Sequence, residues 1–313
     1  MFMSERIASA GGLGYKLRLG AIWLAASGLL PARWFQEPPP AKSERAARTG
    51  RLHVEIVSHC WRYAHLLAYQ LSSLVNHPPG EVAVTMTVFH SPEDAETARL
   101  LEYFGAMELP NVEWNWQVRD KTQLFRRSIG RNEAALASRA DWIWFTDCDV
   151  IFHADCLDGL GRSLQGSREA LVYPDHEFCS PVYEPGDPVL EAARDPGLVE
   201  IDTASFVWQQ RSRATGPLQI THGDVARACG YCKDIPVYQQ PTDRWAKAQE
   251  DRAFRWLLGT TGEPVAIPSV YRIRHQAKGR YRKQGVHSRL RTRVRQAQLR
   301  VRERGNGQDN GGS

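Results

Sequence analysis

Between residues 52 and 146 the chain alternates short apolar, β-branched runs with segments of helical spacing, and few folds accommodate that rhythm. The strand-like runs fall at 52–58, 82–89, 112–118 and 142–146. Between them, 63–75, 94–103 and 128–140 repeat apolar residues every three or four positions, as an amphipathic helix does. Such alternation over roughly 100 residues predicts an α/β fold, a mostly parallel sheet covered by helices on both faces. Ligands of such sheets bind beyond the carboxyl ends of the strands. Asp147 and Asp149 leave the fourth run at such an end.

Past residue 155 the rhythm is less regular. Residues 183–196, rich in Pro, Gly and acids, read as a long loop, 203–209 as a strand and 250–258 as a helix. Thr221-His-Gly-Asp224 reads as a turn into a short helix over 224–229, with Asp224 as its N-cap.

Composition adds an uneven charge distribution. The net charge of the 313 residues is +5, yet 272–304 holds 13 Lys or Arg and one acid, Glu303. Elsewhere 27 bases face 34 acids, a net of about −7. Within that basic stretch Val286, Leu290, Val294, Ala297 and Val301 recur at helical spacing among arginines. A basic amphipathic helix suits an anionic membrane surface. Nucleic acid is disfavoured, because from Val286 onward the stretch lacks the interleaved aromatic side chains on which bases stack.

At the other end, 19–32 is uncharged and apolar, flanked by Arg18 and Arg33. Its 14 residues fall short of the ~20 that span a bilayer. Two readings stay open: an interfacial helix anchored by Trp23 and Trp34, or a helix packed on the domain's own surface. Pro38-Pro39-Pro40 and the polar residues after it read as a linker. The expected organisation is an apolar N-terminal helix over 1–36, a Pro-rich linker over 37–50, a catalytic domain over 51–276, and a basic helix with a disordered tail over 277–313. With both ends facing lipid, the chain is expected in the cytoplasm, peripheral on the inner face of a bacterial membrane. Six scattered cysteines are too few for a disulfide framework and read as free thiols, including Cys229 and Cys232 despite their redox-motif spacing.

The carboxylates of Asp147 and Asp149 stand close enough to repel unless a cation lies between or beside them. A hard divalent ion relieves that repulsion, takes oxygen ligands from protein and phosphate, and can neutralise a departing diphosphate. The surrounding pattern resembles the GT-A glycosyltransferases, especially the inverting family 2, over roughly 52–275. The resemblance is carried by Ser58-His-Cys-Trp-Arg62 after the first strand and by Gly130-Arg-Asn132 opening a helix that leads to Asp147-Cys-Asp149. Glu250-Asp251 and His275 follow in the family's order.

The resemblance implies a nucleotide-sugar donor, by default a UDP-sugar, and Mn2+ or Mg2+. Asp149 would hold the metal, Asp147 the metal or the ribose, and His275 would complete the protein ligands. Arg131 would lie near the diphosphate, with Asn132, Ser58 and His90 on the donor side. Asp251 would be the general base and Glu250 would help to orient the acceptor or the base. The acceptor stays open among glycan, lipid-linked and protein, and the lipid-facing ends of the chain point toward a lipid-linked or envelope glycan. The chain departs from the family at His90-Ser-Pro-Glu-Asp94, where an acidic, glycine- and serine-rich turn usually reads the base.

Simpler readings accompany these. Glu250 and Asp251 suit the first turn of any helix, His275 suits a basic tail, Arg131-Asn132 a helix start, and Trp245 either a sugar stack or the core. A nucleotidyltransferase would want a Gly- and Lys-rich loop at 58–62, which is absent; a decayed transferase fold serving as a binding protein is the other alternative.

Overall fold

The computed structural model describes residues 8–10, 12–245 and 248–276. Residues 277–313, where the basic helix is expected, lie outside the described residues. After helix α1 (Leu13–Leu24) come β1 (His53–His59), α2 (Ala64–Asn76), β2 (Ala83–His90), α3 (Ala95–Gly105) and β3 (Val112–Val118). Next are α4 (Lys121–Leu124), α5 (Arg127–Ala137) and β4 (Trp142–Phe145). The expected α/β alternation is therefore present, each element within a few residues of its predicted bounds.

Four strands run parallel in the order β4-β1-β2-β3, with Val54 opposite Trp142 on one side and Val84 on the other. β4 reads as a continuous apolar run because both its faces are buried. Trp142 and Trp144 pack on the α2–α3 side, Ile143 and Phe145 on the α5 side. At about 25 cal/mol per Å2, aromatic side chains so placed contribute strongly to holding the helices on the sheet.

Beyond β4 lie β5 (Val150–Phe152), α6 (Cys156–Ser163), β6 (Leu171–Pro174), β7 (His176–Tyr183) and α7 (Pro188–Ala192). The chain then forms β8 (Val207–Gln210), β9 (Gln219–His222), α8 (Gly223–Cys229), α9 (Glu250–Leu257), β10 (Glu263–Val265) and β11 (Val270–His275). Antiparallel β9 joins β4 to β6, and β10 closes a seven-stranded sheet; β5, β11, β7 and β8 form a second sheet of four. The architecture is thus a mixed α/β fold, a mostly parallel sheet flanked by helices.

Three predictions over this half are corrected. The loop at 183–196 contains α7, started by Asp187, whose carboxylate accepts from Val189 N (3.0 Å), with Pro188 in its first turn. The strand predicted over 203–209 starts only at Val207. The N-cap of α8 is His222, whose Nδ1 accepts from Asp224 N (3.1 Å). Asp224 instead accepts from Ala46 N (2.8 Å) and bonds Arg227 (2.7 Å).

The Pro-rich stretch lies against the domain: Arg45 donates to Pro40 O (2.9 Å) and Arg168 O (2.8 Å). All six thiols are free and buried. No helix among the described residues is long and apolar enough to cross a membrane.

Candidate active site

Asp147-Cys148-Asp149 is the crossing between the two sheets, since β4 ends at Phe145 and β5 begins at Val150. Buried Gln70 on α2 clamps this crossing by donating to Asp147 O (3.0 Å) and Val150 O (2.9 Å). On the far side Ile273 N donates to Asp149 O (2.9 Å), so β11 lies along the crossing and ends two residues later at His275.

A cleft opens above these residues at the carboxyl end of the parallel strands. Its floor is Asp147, Cys148 and Asp149; His59 to Trp61, Tyr63, Phe125 and Arg127, Trp245, and His275 form its walls. The buried His275 ring meets Tyr63 edge-on at 5.4 Å. His59 stacks on Phe89 at 4.8 Å. Burial, and then the fields of Arg131 and Arg127, push its pKa well below the ordinary value, so the ring is neutral at pH 7. This packing requires Gly130 on α5: a Cβ there would stand 2.5 Å from the His59 ring and 2.9 Å from Phe89.

Asp147 is held by two arginines on one face of α5. Arg127 forms an ion pair with its carboxylate, and Arg131 Nη2 lies 3.5 Å away. Arg127 also reaches Glu250, with Nε 3.7 Å from Oε1. Burial works against the Arg127 charge, but Asp147 and Glu250 outweigh it and raise the pKa.

The structure assigns Arg131 and Asn132 to places behind the cleft. Arg131 is fully buried and donates to Tyr231 Oη (2.9 Å), Thr146 O (3.2 Å) and Gly216 O (3.1 Å). Asn132 accepts from Tyr231 N (2.9 Å). Both fasten the Tyr231 loop and the end of β4, and neither lines the cleft. Arg127, one turn earlier, faces it, and the Arg127/Arg131 spacing of four was the sequence signal that both would reach one carboxylate.

The remaining predicted residues divide similarly. Ser58 and His90 are buried at the ends of β1 and β2, outside the cleft lining. Burial lowers the His90 pKa. Asp94 accepts from Arg62 N (2.5 Å) and Thr97 Oγ1 (2.7 Å), so it caps α3 and fixes the wall of the cleft. Glu250 and Asp251 open α9; Glu250 joins the cleft through Arg127, and Asp251, about one-third exposed, lies 3.5 Å from Arg255. Neither carboxylate lines the cleft itself.

For a metal the donor set is partial. Asp149 and His275 line one cleft, but no group of three or more His, Cys, Asp or Glu among the described residues gathers into a ready metal site. The partly buried Arg272 lies near enough to feel Asp149: desolvation opposes its charge, while Glu177 first, then Cys179 and Asp149, raise its pKa.

No protein-family model matches the chain, and no curated protein sequence matches it. Among solved structures it is similar to a mannosyltransferase, PcManGT from Pyrobaculum calidifontis in complex with GDP-Man and Mn2+, at 16% identity and a TM-score of 0.41, over 96% of this chain and 76% of that one. It is also similar to S. aureus TarS 1-349, at 11% identity and a TM-score of 0.37, over 71% of this chain and 60% of that one. TarS 1-349 in complex with UDP aligns over the same shares with a TM-score of 0.39.

Proposed function

We propose that the chain is a metal-dependent glycosyltransferase that uses a nucleotide-sugar, by default a UDP-sugar. The observation that carries this reading is the cleft itself: Asp147, Asp149, His275 and Arg127 line one opening at the carboxyl end of a parallel sheet. A diphosphate entering there meets the Arg127 guanidinium, which suits phosphate oxygens. Asp149 and His275 would hold Mn2+ or Mg2+, and the diphosphate would complete the coordination sphere. When bound, such an ion supplies neutralisation of charge on the leaving diphosphate.

Asp251 is the general base in this reading, with the acceptor entering from the α9 side because that carboxylate stands outside the cleft lining, and Glu250 holds Arg127 in place. The acceptor oxygen forms a bond to the anomeric carbon, the bond from that carbon to the diphosphate oxygen breaks, and the hydroxyl proton goes to the Asp251 carboxylate. Attack opposite the leaving group inverts the anomeric centre. Trp245 offers an apolar ring to a sugar face. The acceptor that suits the chain is a lipid-linked or envelope glycan at the inner face of a membrane.

A second reading, a nucleotide-binding fold without transfer, is favoured by the pairing of Asp147 with Arg127 and Arg131. Thermal unfolding with UDP or GDP, with and without Mn2+, tests the donor site. One nucleotide should raise the unfolding temperature only with Mn2+, and Asp149→Ala should abolish the rise. Equal protection without the ion, or in the variant, would favour the second reading.

A further inference from the structure

Helix α1 is apolar on two opposite sides. At about 100° per residue, Tyr15, Leu19 and Ile22 share one stripe and Leu13, Leu17 and Leu24 the other. The first stripe, with Ala26 beyond the helix, packs on the core formed by α5, α8 and α9. The second faces away: Leu13, Leu17 and Leu24 are 74%, 65% and 52% exposed. After a kink at Gly28 (φ 95°), Leu29, Leu30 and Trp34 extend the exposed apolar surface. Packing on the domain's own surface therefore uses one face of the helix and leaves the other exposed.

This segment is built onto the helix that carries Glu250 and Asp251. Arg252 Nε donates to Ala26 O (3.1 Å), and its guanidinium lies 5.0 Å over the Trp23 ring. Trp256 Nε1 donates to Leu30 O (3.0 Å), and its ring meets Phe35 edge-on at 5.0 Å. Arg126, next to Arg127, lies 5.3 Å over Tyr15.

We propose that the outward stripe of α1, with Leu29, Leu30 and Trp34, lies in the headgroup region of an anionic bilayer. Charge selects this occupant. Lys16 and Arg18 flank the stripe, Arg33 adjoins Trp34, and no acid occurs between Glu5 and Glu37. A second copy laid on this face would oppose cation to cation, whereas anionic headgroups match the cations while acyl chains take the leucines. Twelve helical residues are too few to span and suit a helix lying in the plane. Because the segment grips α9, lipid contact would also set the orientation of the Glu250–Asp251 turn to the membrane; that last point rests on the proposed transferase reading, whereas lipid contact itself does not.

The test is flotation of the full chain with phosphatidylcholine vesicles, with and without phosphatidylglycerol, against the double variant Leu17→Gln, Leu24→Gln. Glutamine preserves helix propensity, and unfolding temperature confirms that the fold is intact. Wild type should float with the anionic vesicles, and the variant should partition at least about tenfold more weakly, the loss expected of two buried leucines. Equal flotation of the two proteins would overturn the proposal, as would failure of wild type to float. A wild-type dimer that the double variant dissolves in sedimentation would overturn it too. No donor or metal enters this experiment, so its failure is distinct from failure of the transferase reading.

Discussion

The mouth and the back of the cleft are built from the same short stretch of α5, yet they use their charges differently. At the back, Arg131 is fully buried and shared among Tyr231, Thr146, Gly216 and Asp147. At the mouth, Arg127 stays partly exposed between Asp147 and Glu250. A buried charge with several fixed partners rigidifies; a reachable one among carboxylates can exchange them for a ligand's oxygens. One helical turn thus separates a structural arginine from a candidate binding one.

The sharpest way to break that comparison is to exchange the two losses. Arg131→Met should cost about 3–5 kcal/mol of folding stability, because it leaves buried acceptors without their donor; denaturant unfolding measures it. Arg127→Gln should unfold within about 1 kcal/mol of wild type but lose about a hundredfold in transfer rate, the usual cost of one positioned charge donor. If Arg127→Gln unfolds as readily as Arg131→Met, the mouth is as structural as the back.

A smaller effect sharpens the picture of the wall between them. The folded-state pKa of His59 lies well below its ordinary value, so the unfolded chain takes up the proton first. No penalty exists above the unfolded pKa of about 6.5; as pH falls below it, stability is lost at up to about 1.4 kcal/mol per unit until the folded pKa is reached. Between pH 7 and pH 5, His59→Gln should therefore lose less stability than wild type. Equal losses would mean that His59 is already solvated in the fold.

The sequence made the first half of the sheet legible because its strands alternate regularly with helices of clear apolar period. The second half was not, and β11 shows why. Arg272 and Arg274 made its residues look like the start of a basic tail, and with them His275. In the fold, buried Glu177 pairs with Arg272 (2.5 Å) and with Arg211, so a strand carrying charge can lie beside Asp149. That compensation involves residues about 35 to 95 positions apart, beyond the reach of local periodicity. Strands of three or four residues, such as β5 and β10, carry too few positions for alternation to register. Arg127 was hidden differently: the Gly130-Arg-Asn132 motif drew attention to Arg131, whose side chain turns to the back. The Asp147–Asp149 pair was legible throughout, and the fold adds that it is the crossing between the two sheets.

Metal-dependent sugar transfer from a nucleotide is the reaction proposed at this crossing. Release of nucleoside diphosphate from a panel of UDP- and GDP-sugars with Mn2+ tests it most directly, with wild type set beside Asp149→Asn and Asp251→Asn. Wild type should consume one donor, stop when the ion is chelated, and lose activity in both variants, with donor binding kept in Asp251→Asn. Consumption of no donor, or undiminished consumption in Asp149→Asn, would contradict it.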